Sequence, residues 1–182
     1  MTPDELEAAR DRVIDDVVAG GLSVLFCGIN PGLMSAATGH HFARPGNRFW
    51  PVLHRSGFTP HQLQPAQQRE LLTYGLGITN VVARATARAD ELSREEYVAG
   101  GRLLTAKVER LEPRWLAVVG VMAYRTAFGE RAAQVGPQKR TIGATRIWVL
   151  PNPSGLNAHW STAAMAEEYA ILREAAEPGP TA

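Results

Sequence analysis

The feature that most constrains this chain is a series of short apolar runs, LSVLFCGI, GITNVVA, WLAVVG and RIWVLP, separated by longer stretches whose apolar residues recur at helical spacing. Apolar runs of roughly four to eight residues, bounded by turn residues, suit strands covered on both faces. Strands that alternate with helices in this way build a parallel sheet, because a parallel connection needs a crossover long enough to hold a helix. The expected fold is α/β: a three-layer sandwich with a small, mainly parallel central sheet flanked by helices.

The intervening segments carry helix signals. Thr2-Pro3-Asp4-Glu5 reads as a capping box with proline in the first turn, and Leu6, Val13, Ile14, Val17 and Val18 continue it as one apolar face up to Gly20-Gly21. Phe49, Val52, Leu53 and Ser56 predict a helix before Gly57, with Asn47 suited to cap its start near Arg48. Pro65 to Tyr74 reads as a short helix. Ser93-Arg94-Glu95-Glu96 is a second capping box, and Leu103, Leu104, Val108 and Leu111 give its helix an apolar stripe before Pro113. Further helices are predicted through Ala123 to Phe128 and from Ser161 to Ala176. No repeat or linker divides the chain. A single domain over 1–176 is expected, with EPGPTA (177–182) as a loose tail.

Composition narrows the classes. At 182 residues, 45% hydrophobic and 20% charged, the chain reads as one ordinary soluble domain. No apolar run approaches the roughly 18 residues that span a bilayer, so no membrane role is expected. The acidic N-terminus does not resemble a secretory signal, and the lone Cys27 lies within an apolar run. A reducing, cytoplasmic location is expected, with the protein a monomer. One cysteine excludes cysteine-ligated metal sites within one chain, and the five histidines show no HExxH spacing, so no metal is expected. A net charge of +1 is weak for a nucleic-acid binder, but the placement of the arginines matters more than their sum.

Two of the strand ends share a pattern: Asn30-Pro31-Gly32 after the first run and Asn152-Pro153-Ser154-Gly155 after the fourth. Ligands of open α/β sheets bind outside the carboxyl ends of the strands. A single Asn-Pro turn is only a turn, but two at one sheet edge outline a candidate site. The difficulty is chemical, since the amide of Asn30 is neither an acid nor a base in water.

GINPG (28–32), GHHFARPGNRFW (39–50), TNVVARATARADELS (79–93), AGGRLL (99–104) and LPNPSGL (150–156) resemble the mismatch-specific uracil-DNA and thymine-DNA glycosylases, within the uracil-DNA glycosylase superfamily. The likeness spans about Leu22 to Tyr169. It implies a base-excision repair hydrolase that flips a mispaired or damaged pyrimidine out of double-stranded DNA and cleaves the bond between base and sugar, without a cofactor. Asn30 would hold the attacking water through its carbonyl oxygen. Ile29 would shape the pocket, Phe42 would stack on the flipped base, and His40 and His41 would approach its 5-position. Asn152 would line the pocket. In the second loop, Leu156 would wedge into the vacated stack, with Ser154, Gly155 and Asn157 facing DNA and backbone groups of Gly155 and Asn157 meeting the widowed guanine.

Asp90 departs from some relatives, which carry an amide there; it would activate water as a general base or hold the sugar cation, in which case Asp90→Asn loses much of the turnover without losing binding. Asn157-Ala158-His159 also departs from relatives, which leaves the opposite-base preference open. Arg48, Lys139 and Arg140 are candidates for phosphate contacts. Bland readings stand beside these: Phe42 as core, Leu156 as an anchor for the last helix, Asp90 as a solvated residue ahead of the Ser93 cap. Two other functions fit the same sheet edge. One is a mismatch binder that does no chemistry; the other is an α/β enzyme of free nucleotides, weakened by the lack of a Walker-type loop.

Overall fold

The computed structural model describes residues 1–178; the tail expected over 177–182 lies, from residue 179 on, outside them. Five strands form one sheet in the order β2-β1-β3-β5-β4. The strands are β1 (Val24–Gly28), β2 (Leu76–Asn80), β3 (Trp115–Val119), β4 (Gly136–Ile142) and β5 (Thr145–Leu150). All neighbouring pairs are parallel except β4 with β5. The three-layer α/β sandwich expected from the apolar runs is the observed architecture.

Alternation along the buried strands decides the layers. Val24 and Phe26 of β1, with Trp115, Ala117, Trp148 and Leu150, face a core built by α3 (Phe49–Arg55), the 3₁₀ segment Pro65–Tyr74 and α6 (Thr162–Ala176). Leu25, Cys27, Leu116, Val118, Ile147 and Val149 face the opposite core, beneath α4 (Arg94–Leu111) and α5 (Val121–Phe128). Burial of Cys27 pushes its thiol pKa up and keeps it an inert apolar filler.

Two elements differ from expectation. β4, the sequence GPQKRTI, was not legible as a strand because it has no apolar run. It is an antiparallel edge strand whose register against β5 breaks between Pro137 and Thr141; proline, charge and irregular pairing are what edge strands use to avoid pairing with other chains. The first helix also ends early. α1 covers only Pro3–Glu7, although Thr2 and Glu5 do form the predicted capping box; the next helix, α2 (Leu33–Thr38), follows the Asn30-Pro31-Gly32 turn. Asp11 then takes a left-handed φ of 64°, and the β-branched residues that follow extend as a strap rather than continue the helix. Val17 pairs antiparallel with Ile78, covering the free edge of β2. Asp16 anchors the strap by accepting bonds from Thr79 Oγ1 and from Lys107 of α4.

The residues at the Ser93 cap behave as read. Ser93 Oγ accepts from Glu96 N at 3.1 Å and the Glu96 carboxylate accepts from Ser93 N at 2.8 Å. The same carboxylate takes the Arg84 guanidinium, which holds its pKa down at about 2.

Candidate active site

The strand order fixes where a cleft can open. The chain leaves β1, returns as β2 on one side, then crosses through α4 to β3 on the other side of β1. Loops leaving β1 and β3 therefore diverge, and the crevice lies above that switch point. Register sets Gly28 level with Asn80, and Val119 level with Leu150, so the polar residues that follow these strands share one edge. A cleft of about 360 Å³ opens there.

Asn30 sits in its wall, half-buried. Its Nδ2 donates to Arg84 O at 2.9 Å and to Thr86 Oγ1 at 2.8 Å. Thr86 is buried and its hydroxyl donates to Arg88 O at 2.8 Å, so its oxygen can only accept from Asn30. The amide orientation is thereby fixed, and Oδ1 is the group left to accept a proton donor. Backbone bonds brace the turn as well: Val81 N to Gly28 O, Val82 N to Ile29 O and Thr86 N to Pro31 O, at 2.9, 2.9 and 3.1 Å. Arg84 in turn is held by Glu96 and by Asp11 of the strap.

The cleft floor depends on a missing side chain. A Cβ on Gly28 would lie 2.5 Å from Asn80 Oδ1 and 3.3 Å from Phe42 Cζ. Glycine at the end of β1 lets both groups close in. Phe42 has a φ of 53°, a left-handed conformation that costs a non-glycine residue energy and is commonest at functional sites. Its ring stacks on Phe49 at 4.1 Å between centroids while also lining the cleft. Phe42 thus packs against the core and also borders the cleft.

Of the two histidines, only His41 lines this cleft; adjacent residues point apart, and His40 faces a separate depression with Gly39, Gln68 and Arg69. His40 is therefore set aside as a site residue. His41 is 2% exposed, and burial lowers its pKa, so it is neutral near pH 7. Its Nε2 lies 2.8 Å from Asp15 O, an acceptor only, which assigns the proton to Nε2. Nδ1 is then an acceptor, 3.5 Å from Asn80 Nδ2. That contact is at the limit of a hydrogen bond, but it orients Asn80 with Oδ1 away from His41.

The second predicted loop lies opposite. Asn152, Ser154 and Leu156 line the cleft, and Leu156 is 75% exposed, so it does not anchor α6. Asn152 Oδ1 accepts from Ser154 N at 2.9 Å. Gly155 is exposed, with no hydrogen-bond partner for its backbone among the described residues. The N–H of Asn157 donates to Ser154 O and is not free to meet a guanine, whereas its carbonyl, which accepts from Arg48, keeps a second lone pair.

The phosphate candidates are also revised. Arg48 turns Nη1 and Nη2 to loop carbonyls, while its buried Nε has no hydrogen-bond partner among the described residues. Arg140 donates to Phe128 O, pairs with Glu130 and stacks over Phe128. Lys139 and Arg140 lie on edge strand β4 and do not line the cleft. The arginines that do are Arg44, exposed, and Arg88. Asp90, placed at the cleft by a 3₁₀ turn over Ala89–Glu91, is 69% exposed and bonded to Arg88 at 3.0 Å. Among the described residues it is the single carboxylate lining the cleft.

Sequence reading missed Asn80, Thr86 and the strap residue Ile14, all of which line the cleft. Asn80 had a signal: it ends β2 as a polar amide level with Gly28, but the apolar Val81-Val82 beyond it made the strand seem longer. Thr86 and Ile14 had none, because their roles arise from long-range contacts.

A known structure shares the fold. A solution NMR structure from Methanosarcina acetivorans, described as a "putative Uracil DNA glycosylase", matches with a TM-score of 0.61 over 90% of this chain and 97% of that one. Identity is 19%, so this likeness speaks for the fold alone. The sequence model described as the Uracil DNA glycosylase superfamily matches residues 16–176, which takes in both Asn-Pro turns, Asn80 and the cleft between them. The chain belongs to the uracil DNA glycosylase superfamily.

Proposed function

We propose that the chain is a monofunctional DNA glycosylase of the mismatch-specific type, removing uracil opposite guanine from duplex DNA, with thymine and cytosine adducts as further substrates. The observation that carries this reading is the locked amide of Asn30, whose Nδ2 is committed to Arg84 O and Thr86 Oγ1. An oriented acceptor is what hydrolysis of a base–sugar bond needs when that bond loosens before water attacks. Cleavage of C1′–N1 sends the bonding pair to the base and leaves positive charge on the sugar. Water held by Asn30 Oδ1 then bonds to C1′ and releases its proton, while the departing base anion is stabilised by nearby donors and finally takes up a proton.

The other cleft groups fit the same chemistry. Phe42 offers an aromatic face to a base extruded from the stack. Asn80 presents an amide whose oxygen is turned from His41 and whose nitrogen has a second proton to give. Such an edge complements the N3–H and O4 of uracil or thymine, and mismatches the N3 acceptor of cytosine. Leu156 supplies an exposed apolar wedge. Asp90, paired and solvated, suits a modest stabilisation of the sugar cation better than proton abstraction. No lysine lines the cleft among the described residues, which favours hydrolysis over Schiff-base chemistry and strand nicking.

The test is a labelled duplex with uracil opposite guanine, incubated with the protein and then treated with alkali. Asn30→Ala is expected to lose roughly 100-fold or more in single-turnover cleavage, the scale of one transition-state contact, while duplex binding persists. Full activity in Asn30→Ala would end the proposal. Binding without product in the wild type would favour a non-catalytic mismatch binder, and cleavage of free nucleosides alone would favour a nucleotide enzyme.

A further inference from the structure

Arg48 was expected to touch phosphate, yet its side chain faces the protein. Nη1 donates to Trp160 O at 2.7 Å, and Nη2 donates to Ser154 O at 3.1 Å and Asn157 O at 2.9 Å. Its backbone N–H donates to Pro153 O at 2.9 Å. Among the described residues, every hydrogen bond that reaches residues 152–160 from outside that loop comes from Arg48; the other bonds are local turns within it. One further contact ties the loop to the same turn, because a Cβ on Gly155 would lie 2.6 Å from Gly46 O. No carboxylate pairs with Arg48 among the described residues.

We propose that Arg48 is a positioning residue: its guanidinium fork holds the 152–160 loop in the shape that projects Leu156, so that the wedge is formed before DNA arrives. The proposal rests on the glycosylase reading above. A loop without this tie has to be ordered during insertion, and that entropy is lost from binding and from extrusion of the base. A planar cation with donors on several sides suits the task, since three carbonyls converge from different points of the loop; a lysine ammonium cannot reproduce the fork. The charge remains uncompensated beneath a surface that has to meet phosphates, so the tie does not bring a repelling carboxylate with it.

Two perturbations strike the same junction from opposite sides. Arg48→Met removes the fork, whereas Gly155→Ala leaves Arg48 intact and forces the two turns apart. Backbone hydrogen exchange over 152–160 and single-turnover cleavage of the uracil·guanine duplex are measured for both, for Arg48→Lys, for Leu156→Ala and for the double variant Arg48→Met/Leu156→Ala. Exchange in the loop is expected to rise in Arg48→Met and Gly155→Ala, while α4 and β1 stay protected. Cleavage by Arg48→Met is expected to fall by about tenfold or more, a scale typical of a misplaced group away from the chemistry. Arg48→Lys should stay closer to Arg48→Met than to wild type. The double variant should lose little more than the worse single variant, because residues acting through one element are not additive.

Unchanged loop exchange in Arg48→Met and Gly155→Ala would overturn the proposal. So would losses that multiply in the double variant, or wild-type cleavage by Arg48→Lys, which would make charge alone the role. Absence of any cleavage by the wild type would instead sink the glycosylase reading, and loop exchange would still decide whether Arg48 holds the loop.

Discussion

The two Asn-Pro turns look alike in sequence and are held in different ways. The Asn30 turn is braced by three backbone bonds to the chain after β2, and its side chain is locked by a carbonyl and a buried threonine. The Asn152 turn opens into a loop whose hydrogen bonds to the rest of the chain all come from one arginine, beside a glycine contact and the packing of Trp160 on the core. Under the proposed function, the difference follows from what each has to do. A group that holds one water at C1′ needs its orientation fixed to within a fraction of an ångström. A wedge needs exposure, and exposure leaves few neighbours to brace it, so a single multidentate side chain takes that role.

The comparison can be broken first at Thr86. Thr86→Val keeps the shape but removes the oxygen that fixes Asn30, and leaves Asn30 Nδ2 with one partner fewer. Cleavage is expected to fall by about tenfold, equivalent to roughly 1.4 kcal/mol, with duplex affinity unchanged. An equal fall in affinity, or no fall in cleavage, would mean that the turn is rigid without its side-chain lock.

The pH dependence of His41 probes the same rigid half. Its pKa is lowered by burial, so the folded state binds protons less readily than the unfolded state, whose value is 6.5. Stability from this group is therefore complete above pH 6.5 and is lost as pH falls from there through the lowered folded value. Protonation at Nδ1 would also remove the acceptor facing Asn80 Nδ2 and favour the opposite amide orientation. A severalfold loss of selectivity for uracil over cytosine is expected in that acidic range, on the scale of one weak hydrogen bond. It is measured as the ratio of single-turnover rates from pH 7.5 downward, and a constant ratio would separate Asn80 from His41.

The smallest effect is expected at Asp90. An exposed carboxylate bonded to Arg88 is screened by solvent. Asp90→Asn should cost about twofold to fivefold in turnover, well below the loss in Asn30→Ala. A loss as large as that of Asn30→Ala would show that the carboxylate moves inward in the complex and acts as the base.

Some of this was written in the chain and some was not. Apolar runs between turn residues determined four parallel strands and the two-sided core, because a strand covered on both faces has few other compositions. Asn30-Pro31-Gly32 and Asn152-Pro153 marked the sheet edge where a site could form, and the quoted motifs carried the superfamily. The polar edge strand β4 escaped notice, since charged residues at a sheet edge look the same as charged residues in a loop. The N-terminal strap escaped because its capping box starts a helix that tertiary pairing with Ile78 does not continue.

Local pattern could also nominate His40, His41 and Arg48 but could not say which way each would face. Only the folded chain turned His41 into the cleft and His40 away, brought Thr86 beneath Asn30, and aimed Arg48 at three carbonyls more than a hundred residues distant in sequence. Periodicity and turn chemistry act between neighbours along the chain, so the sequence by itself determined the elements and their order. The direction of a polar side chain is set by which donors and acceptors folding leaves unpaired around it, and those come from distant segments that meet only in the tertiary structure.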